Sequence, residues 1–415
     1  MAGEQVYGDG TNSSVGTQIR QEHYNKKSVI ELKDETYLSQ MSDAMSQPKH
    51  FGKKMKKYKY IAMLDDANNN SQGLDVNGAI LNPGNLYGSS RDIGTITSKL
   101  PTISETGGRV NRVGFTRVEI EAVIENYGFF HEYTKDSYNF DTDAELKMHN
   151  TREATRGAIQ INEDILYITL VNAAGVAYYP GQATSDATVT GDQNDEEDVK
   201  QSVPSYMGLI NLDIELDNNK CPRDTSVIAG SKLTDTKVVQ SARYMFISSD
   251  VKADFMSMTD LHGNPAFKEV ASYTDANKNG KYVKSIHGEI GQVGPFRLIV
   301  HPNAVLRAGA GADVGSAGGT NAANDGFRVT DVAGTDKYDV YPCLVVGSKS
   351  FTHIGFEYGA GAKSKFKVRN VSPEQAGGSH DPFYKTGFSS IEFWQGVLVD
   401  RPEWLATYNI AAKLY

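Results

Sequence analysis

Residues able to bind or react are scattered through this 415-residue chain. Asp275, Asn277, Asn279 and Gly280 spell D-x-N-x-N-G, the first half of a calcium loop in which alternate oxygen-bearing side chains turn onto a hard cation. Ile286 stands where a bidentate carboxylate should close that shell, and no helix pair flanks the string, so a polar turn is the better reading. The run DQNDEED at residues 192–198 could gather cations weakly, but such a run usually marks a solvated loop. The Gly/Ala-rich stretch 309–319 contains no G-x-x-x-x-G-K-S/T phosphate cradle. Neither G-x-S-x-G nor H-E-x-x-H occurs, and the 9 histidines fall mostly singly, among them His131, His287, His301 and His353. Cys221 and Cys343, the only cysteines, are too far apart to indicate a disulfide framework or a thiolate metal site. No catalytic residue, metal or cofactor is expected.

The densest cluster of charge is Lys53, Lys54, Lys56, Lys57 and Lys59, interleaved with Tyr58 and Tyr60. Basic residues among aromatics can track a nucleic-acid backbone while bases stack. The alternation instead reads as a long strand over 51–65, with Tyr58, Tyr60, Ala62 and Leu64 on one face and Met55, Lys57, Lys59, Ile61 and Met63 on the other. A second strand, 115 to about 133, carries Val118, Ile120, Ala122 and Ile124 on one face and Arg117, Glu119, Glu121 and Glu125 on the other. Lysines split between two faces, opposite an acidic strand, favour pairing within a structural ribbon over a nucleic-acid patch. The subunit-contact candidates are therefore Lys53, Lys54, Lys57, Lys59, Glu119, Glu121 and Glu125. A two-stranded ribbon is marginal alone in water, and nothing local offers it an apolar bed.

The elements around the ribbon give it context. The 42 Lys+Arg and 51 Asp+Glu leave a net charge of −9, which argues against a dedicated nucleic-acid binder. No apolar run reaches the ~18 residues of a membrane span, and the opening MAGEQVYGDGTNSS has no signal-peptide pattern. Residues 1–50 read as a polar arm with one amphipathic helix over 27–45, on which Ile30, Tyr37, Leu38 and Met41 recur. Residues 141–175 are the best helix, opened by a Thr142/Glu145 capping box and stopped at Gly175. Its apolar stripe is Ala154, Ala158, Ile161, Ile165, Ile168 and Asn172, expected to bury against the strand 391–399. Residues 180–203 read as a polar insertion, and 206–375 as short strands with one or two helices between glycine turns. IEFWQGVLV, residues 391–399, is apolar on both faces like a buried central strand, and a last strand runs over 405–415.

This order of arm, ribbon, spine helix, glycine-punctuated α/β region and return strands resembles the major capsid proteins of tailed bacteriophages with the HK97-type fold. The segments PKHFGKKMKKYKYIAMLDDANNNSQGLDVNGA from Pro48, NLYGSSRDIGTI from Asn85, LPTISETGGRVNRVGFTRVEIE from Leu100 and HGEIGQVGPFRLIVHP from His287 are similar to the coat protein family of Schitoviridae-type podophages. The resemblance spans nearly the whole chain and is weakest at 180–203 and 303–335. It implies an α+β fold: an N-terminal arm over 1–50, an extended E-loop ribbon over 51–134, a P domain with the spine helix over 135–205, an A domain over 206–375 and P-domain return strands over 376–415. It further implies self-assembly into hexamers and pentamers of an icosahedral shell, made in the host cytoplasm and present in the virion. Partners would be a separate scaffold, a portal and a decoration protein, with packaged double-stranded DNA held only non-specifically and no membrane. A decoration, tail-tube or encapsulin-like shell protein is the alternative, though a long spine helix suits neither of the first two; a soluble α/β hydrolase lacks its nucleophile.

Overall fold

The computed structural model describes residues 4–5, 37–47, 50, 52–61, 93–98, 103, 105, 116–140, 146–192, 200–223, 225–228, 236–239, 243–270, 287–315, 326–356, 366–376 and 382–414. The chain divides into two compact units, residues 52–123 and residues 1–51 with 124–415. The capping box Thr142/Glu145, the calcium-like string and residues 193–199 lie outside the described residues.

Two sheets organise the larger unit. One has six strands built around Thr386–Val399, which pairs antiparallel with Glu125–Thr134, Phe366–Val371 and Phe351–Phe356. Glu4–Gln5 and Asp43–Gln47 add to it in parallel, on Glu125–Thr134 and Phe351–Phe356. The strand predicted over 391–399 is therefore central, but its burial largely alternates: Ile391, Phe393, Gln395, Gly396 and Leu398 are buried, and Glu392, Trp394, Val397 and Val399 half-buried. The other sheet has seven strands in the order Phe267–Glu269, Glu289–Val293, Phe296–His301, Arg243–Ser248, Tyr341–Val346, Leu405–Ile410, Val176–Tyr178. Arg243–Ser248, Tyr341–Val346 and Leu405–Ile410 are buried at every residue, as near-continuous apolar runs covered on both faces should be. Helix Tyr206–Asn218 supplies Leu209, Leu212 and Leu216 to a core with Met245, Ile247, Leu298 and Val345, while Tyr244, Phe246, Leu344 and Val346 join the spine helix in a second core.

Sheet membership crosses the boundaries expected from the sequence. Phe351–Phe356 and Phe366–Val371, assigned to 206–375, pair with Thr386–Val399, whereas Leu405–Ile410, assigned to the return strands of 376–415, pairs with Tyr341–Val346. Glu125–Thr134, assigned to the ribbon 51–134, belongs to the larger unit, because its strand breaks at Ile124 and then pairs with Thr386–Val399 over ten residues. Strand partners are chosen by complementarity between segments remote in sequence, which no linear boundary captures.

Among the described residues the spine helix runs over Leu146–Ala173, ending two residues before the predicted 175; residues 141–145 lie outside the described residues. Gly175 follows its end for a reason of space. Its N–H donates to the Pro402 carbonyl at 2.8 Å, and a Cβ there would lie 2.7 Å from that oxygen. The predicted stripe is only half right. Ala154 and Ala158 pack on Ile391 and Phe393 of the six-stranded sheet, whereas the C-terminal half buries Leu166, Tyr167, Leu170 and Val171 against the seven-stranded one. At about 100° per residue Tyr167 and Val171 lie on the far side of the helix from Ala158, with Leu170 and Leu166 about 120° and 80° round from it. One helix thus serves two sheets with two different faces. Ile161 and Ile168, turned about 60–80° from Ala158 in the direction away from Leu166, remain 39% and 48% exposed, and Ile165 is half-buried.

Two further expectations are corrected. The helix expected over 27–45 is, among the described residues, a single 3₁₀ turn at Leu38–Met41 followed by the strand Asp43–Gln47. A turn with three residues per repeat buries Leu38 and Met41 together, and the chain beyond it extends along a sheet edge. Within the supposed polar insertion, Asp192 is fully buried: it accepts hydrogen bonds from the Tyr338 hydroxyl at 2.6 Å and the Gly315 N–H at 3.0 Å. Those donors lie well over a hundred residues away, so the sequence offered only an acidic run.

Candidate subunit-contact surfaces

The smaller unit contains the ribbon, Lys54–Tyr60 antiparallel to Arg117–Val123. Its register sets Lys54 opposite Val123, Lys56 opposite Glu121, Tyr58 opposite Glu119 and Tyr60 opposite Arg117 on one face. On this face the ion pairs are diagonal: Lys54 Nζ lies 3.5 Å from Glu121 Oε1, and Lys56 pairs closely with Glu119. Glu119 raises the Lys56 pKa through its hydrogen bond and its charge. The Arg117 guanidinium stands 4.3 Å over the Tyr58 ring. On the opposite face Met55 meets Ala122, Lys57 meets Ile120 and Lys59 meets Val118.

The structure thus brings Lys54, Glu119 and Glu121 together with Lys56, a residue left out of the candidate set. Lys57 and Lys59 sit on the other face, across from Ile120 and Val118 rather than the glutamates. Alternation alone separates the faces of each strand, but register decides which faces coincide, and here 56 residues separate Tyr60 from Arg117. Lys53 precedes the strand and is exposed. Glu125 stands in the larger unit, where it accepts the Tyr127 hydroxyl at 2.7 Å; burial first, then Glu125, pushes that phenol up to about 12.

The larger unit offers a contact surface of another kind, the stripe of exposed Ile161 and Ile168 with half-buried Ile165 along the middle of the spine helix. Phe130, on Glu125–Thr134, is also exposed. Sequence periodicity found the isoleucine stripe but took it for core, since helical spacing marks an apolar face without saying what covers it.

Reactive chemistry is sparse by comparison. Among the described residues no group of three or more His, Cys, Asp or Glu side chains is arranged to hold a metal ion. Both cysteines are free and buried, and desolvation raises both thiols, that of Cys221 to about 11. Buried, protonated thiols are poor nucleophiles. No helix among the described residues is long and apolar enough to cross a membrane.

Comparison with known proteins bears on these surfaces. A family model described as phage capsid protein matches residues 117–357. A major capsid protein of Pseudomonas phage KPP21 is 41% identical over 406 residues, covering 98% of this chain and 96% of the relative. The capsid of Ralstonia phage GP4 superposes with a TM-score of 0.55 at 10% identity, over 95% of each chain, a likeness of fold.

Proposed function

The chain belongs to the phage capsid protein family, and from that membership we propose that it is the major capsid protein of a phage, closing copies of itself into an icosahedral shell around double-stranded DNA. The observation that carries this reading is 41% identity to a phage major capsid protein across nearly the full length of both chains. Its role is structural rather than catalytic. In the terms of the HK97-type fold, residues 52–123 serve as the E-loop, the six-stranded sheet with the N-terminal half of the spine helix as the P domain, and the seven-stranded sheet as the A domain. Hexamers and pentamers form the lattice, assembled in the host cytoplasm with a separate scaffold, a portal and a decoration protein.

The geometry supports this role at two places. A two-stranded ribbon needs a bed, and the partly exposed Ile161–Ile165–Ile168 stripe of a neighbouring copy supplies an apolar one. Lys53, Lys54, Lys57, Lys59, Glu119, Glu121 and Glu125 are the charged residues at such contacts. The net charge of −9 suits a container whose wall should not hold the genome by its phosphates.

Negative-stain electron microscopy of the protein co-expressed with its genomic neighbours is the test, with closed shells or shell fragments as the expected result. Lys57→Glu with Lys59→Glu is expected to lower particle yield or make assembly strongly salt-dependent while the larger unit stays folded. Normal assembly with loss of DNA affinity would instead turn these lysines toward the genome. A stable monomer at high concentration, under every co-expression condition, would overturn the reading.

A further inference from the structure

Residues 37–47 cross the larger unit as a strap. The turn Leu38–Met41 buries Leu38 and Met41 with Leu166, Tyr167 and Leu170 of the spine helix, and Asp43–Gln47 then runs along Phe351–Phe356. What clasps the turn is Glu163, on the spine helix and only 2% exposed. Its carboxylate accepts the backbone N–H groups of Tyr37 at 3.3 Å, Leu38 at 2.8 Å and Ser39 at 3.3 Å, together with the Ser39 hydroxyl. The first N–H groups of any helical turn have no carbonyl partner within that turn and favour a negative charge. No side chain caps this turn locally, and its acceptor comes from 124–126 residues away. The strap is held by tertiary structure alone.

A histidine stands directly behind the clasp. The Tyr37 ring packs 4.9 Å from His287 and 5.0 Å from His301, and His301 packs 5.1 Å from Tyr167 of the spine helix. His301 is 2% exposed, and neither imidazole nitrogen makes a hydrogen bond of good geometry, with only the Asn303 backbone nearby as a weak partner. Tyr37 of the strap and Tyr167 of the spine helix pack on His301 directly; His287 and Glu163 are linked to it through Tyr37, and Asp164 through Asn303. Asp164 faces Asn303, and burial raises its carboxyl. Burial, only partly opposed by the Asn303 backbone, holds the His301 pKa down at about 4.

We propose that residues 37–47 are a releasable latch, clasped on the spine helix by Glu163 and opened when His301 behind it takes up a proton. An imidazolium among buried aromatic rings, with no well-placed hydrogen-bond acceptor, is disfavoured until the strap lifts and water reaches it. The sign is set by linkage. With the latch closed His301 titrates near 4, and with it open near the ordinary value of about 6.5. The closed state is therefore at full strength above about pH 6.5 and weakens roughly tenfold per pH unit down to about 4, about 300-fold in all.

Hydrogen exchange of the full chain, corrected for the intrinsic pH dependence of amide exchange, tests this between pH 4 and 8. Peptides spanning 37–47 are expected to lose protection about tenfold per pH unit below 6.5, while Tyr341–Val346 keeps its own. His301→Phe, which cannot titrate, is expected to flatten that profile, and Glu163→Gln, which sets an amide donor against N–H donors, to leave the strap unprotected at every pH. A strap whose protection is independent of pH in the unaltered protein, or a slope that persists in His301→Phe, would overturn the proposal. So would native protection in Glu163→Gln at pH 7. Should either variant fail to fold, the profile of the unaltered chain decides.

Discussion

Arg243 shows what a single buried charge requires. Its side chain is 1% exposed, and its guanidinium is met by the Asp213 carboxylate, Asp217 Oδ1 at 2.7 Å and the Cys221 carbonyl at 2.6 Å. Asp213 and Asp217 project from the last turns of helix Tyr206–Asn218, and Arg223 closes the group from outside at 3.0 Å and 2.5 Å. Arg223 first, and then Arg243, hold the Asp217 carboxyl below its ordinary range. The stability this carboxylate contributes is present at neutral pH and is lost as pH falls below about 4. Removing one partner of a buried pair leaves the other uncompensated. Asp213→Ala is therefore expected to destabilise the larger unit by about 3–5 kcal/mol in denaturant unfolding, with Asp217→Ala, more exposed, costing clearly less. Equal losses would show that the two carboxylates share the burden, and a larger loss in Asp217→Ala would move it to Asp217.

At the scale of the element, the spine helix turns one continuous sequence into two different packing surfaces. Leu170 is fully buried in the core shared with Tyr244, Phe246 and Leu344, whereas Ile168, two residues earlier, faces outward. Leu170→Ala should cost about 2–5 kcal/mol through lost contacts and the cavity left behind. Ile168→Ala should stay within about 0.5 kcal/mol in the unassembled protein, as surface changes usually do. The same variant is expected to reduce shell yield, which separates the two faces by function as well as by burial. Equal destabilisation by the two variants in unfolding experiments would mean that the outward stripe is part of the core.

At the scale of the whole molecule, the division at residues 52 and 123 makes a topological prediction. The chain leaves and re-enters the larger unit at neighbouring points, because Lys54 pairs directly with Val123. Replacing residues 52–123 by a short Gly/Ser linker is therefore expected to leave the larger unit folded, with near-native circular dichroism and cooperative unfolding, but unable to form shells. Shells formed by the shortened chain would take the ribbon out of assembly, and an unfolded product would show that the two units depend on one another.

Much of this architecture is legible residue by residue. The apolar runs at Arg243–Ser248, Phe296–His301 and Tyr341–Val346 announce strands, the alternation of Lys54–Tyr60 and Arg117–Val123 announces a ribbon, and the spacing from Ala154 onward announces a long helix. These are products of local physics, since backbone geometry imposes a period of two or of 3.6 on whatever faces the interior. Extended wording such as HGEIGQVGPFRLIVHP also carried the family. Tertiary structure alone decided the rest: that Leu166 and Tyr167, rather than Ile161 and Ile168, meet a sheet, that Lys56 rather than Lys57 meets a glutamate, and that Glu163 and Asp192 are buried. A period marks a face without naming its partner, and register is set by pairing across a long connection. A buried carboxylate looks like any surface acid until the fold carries its donors to it from more than a hundred residues away.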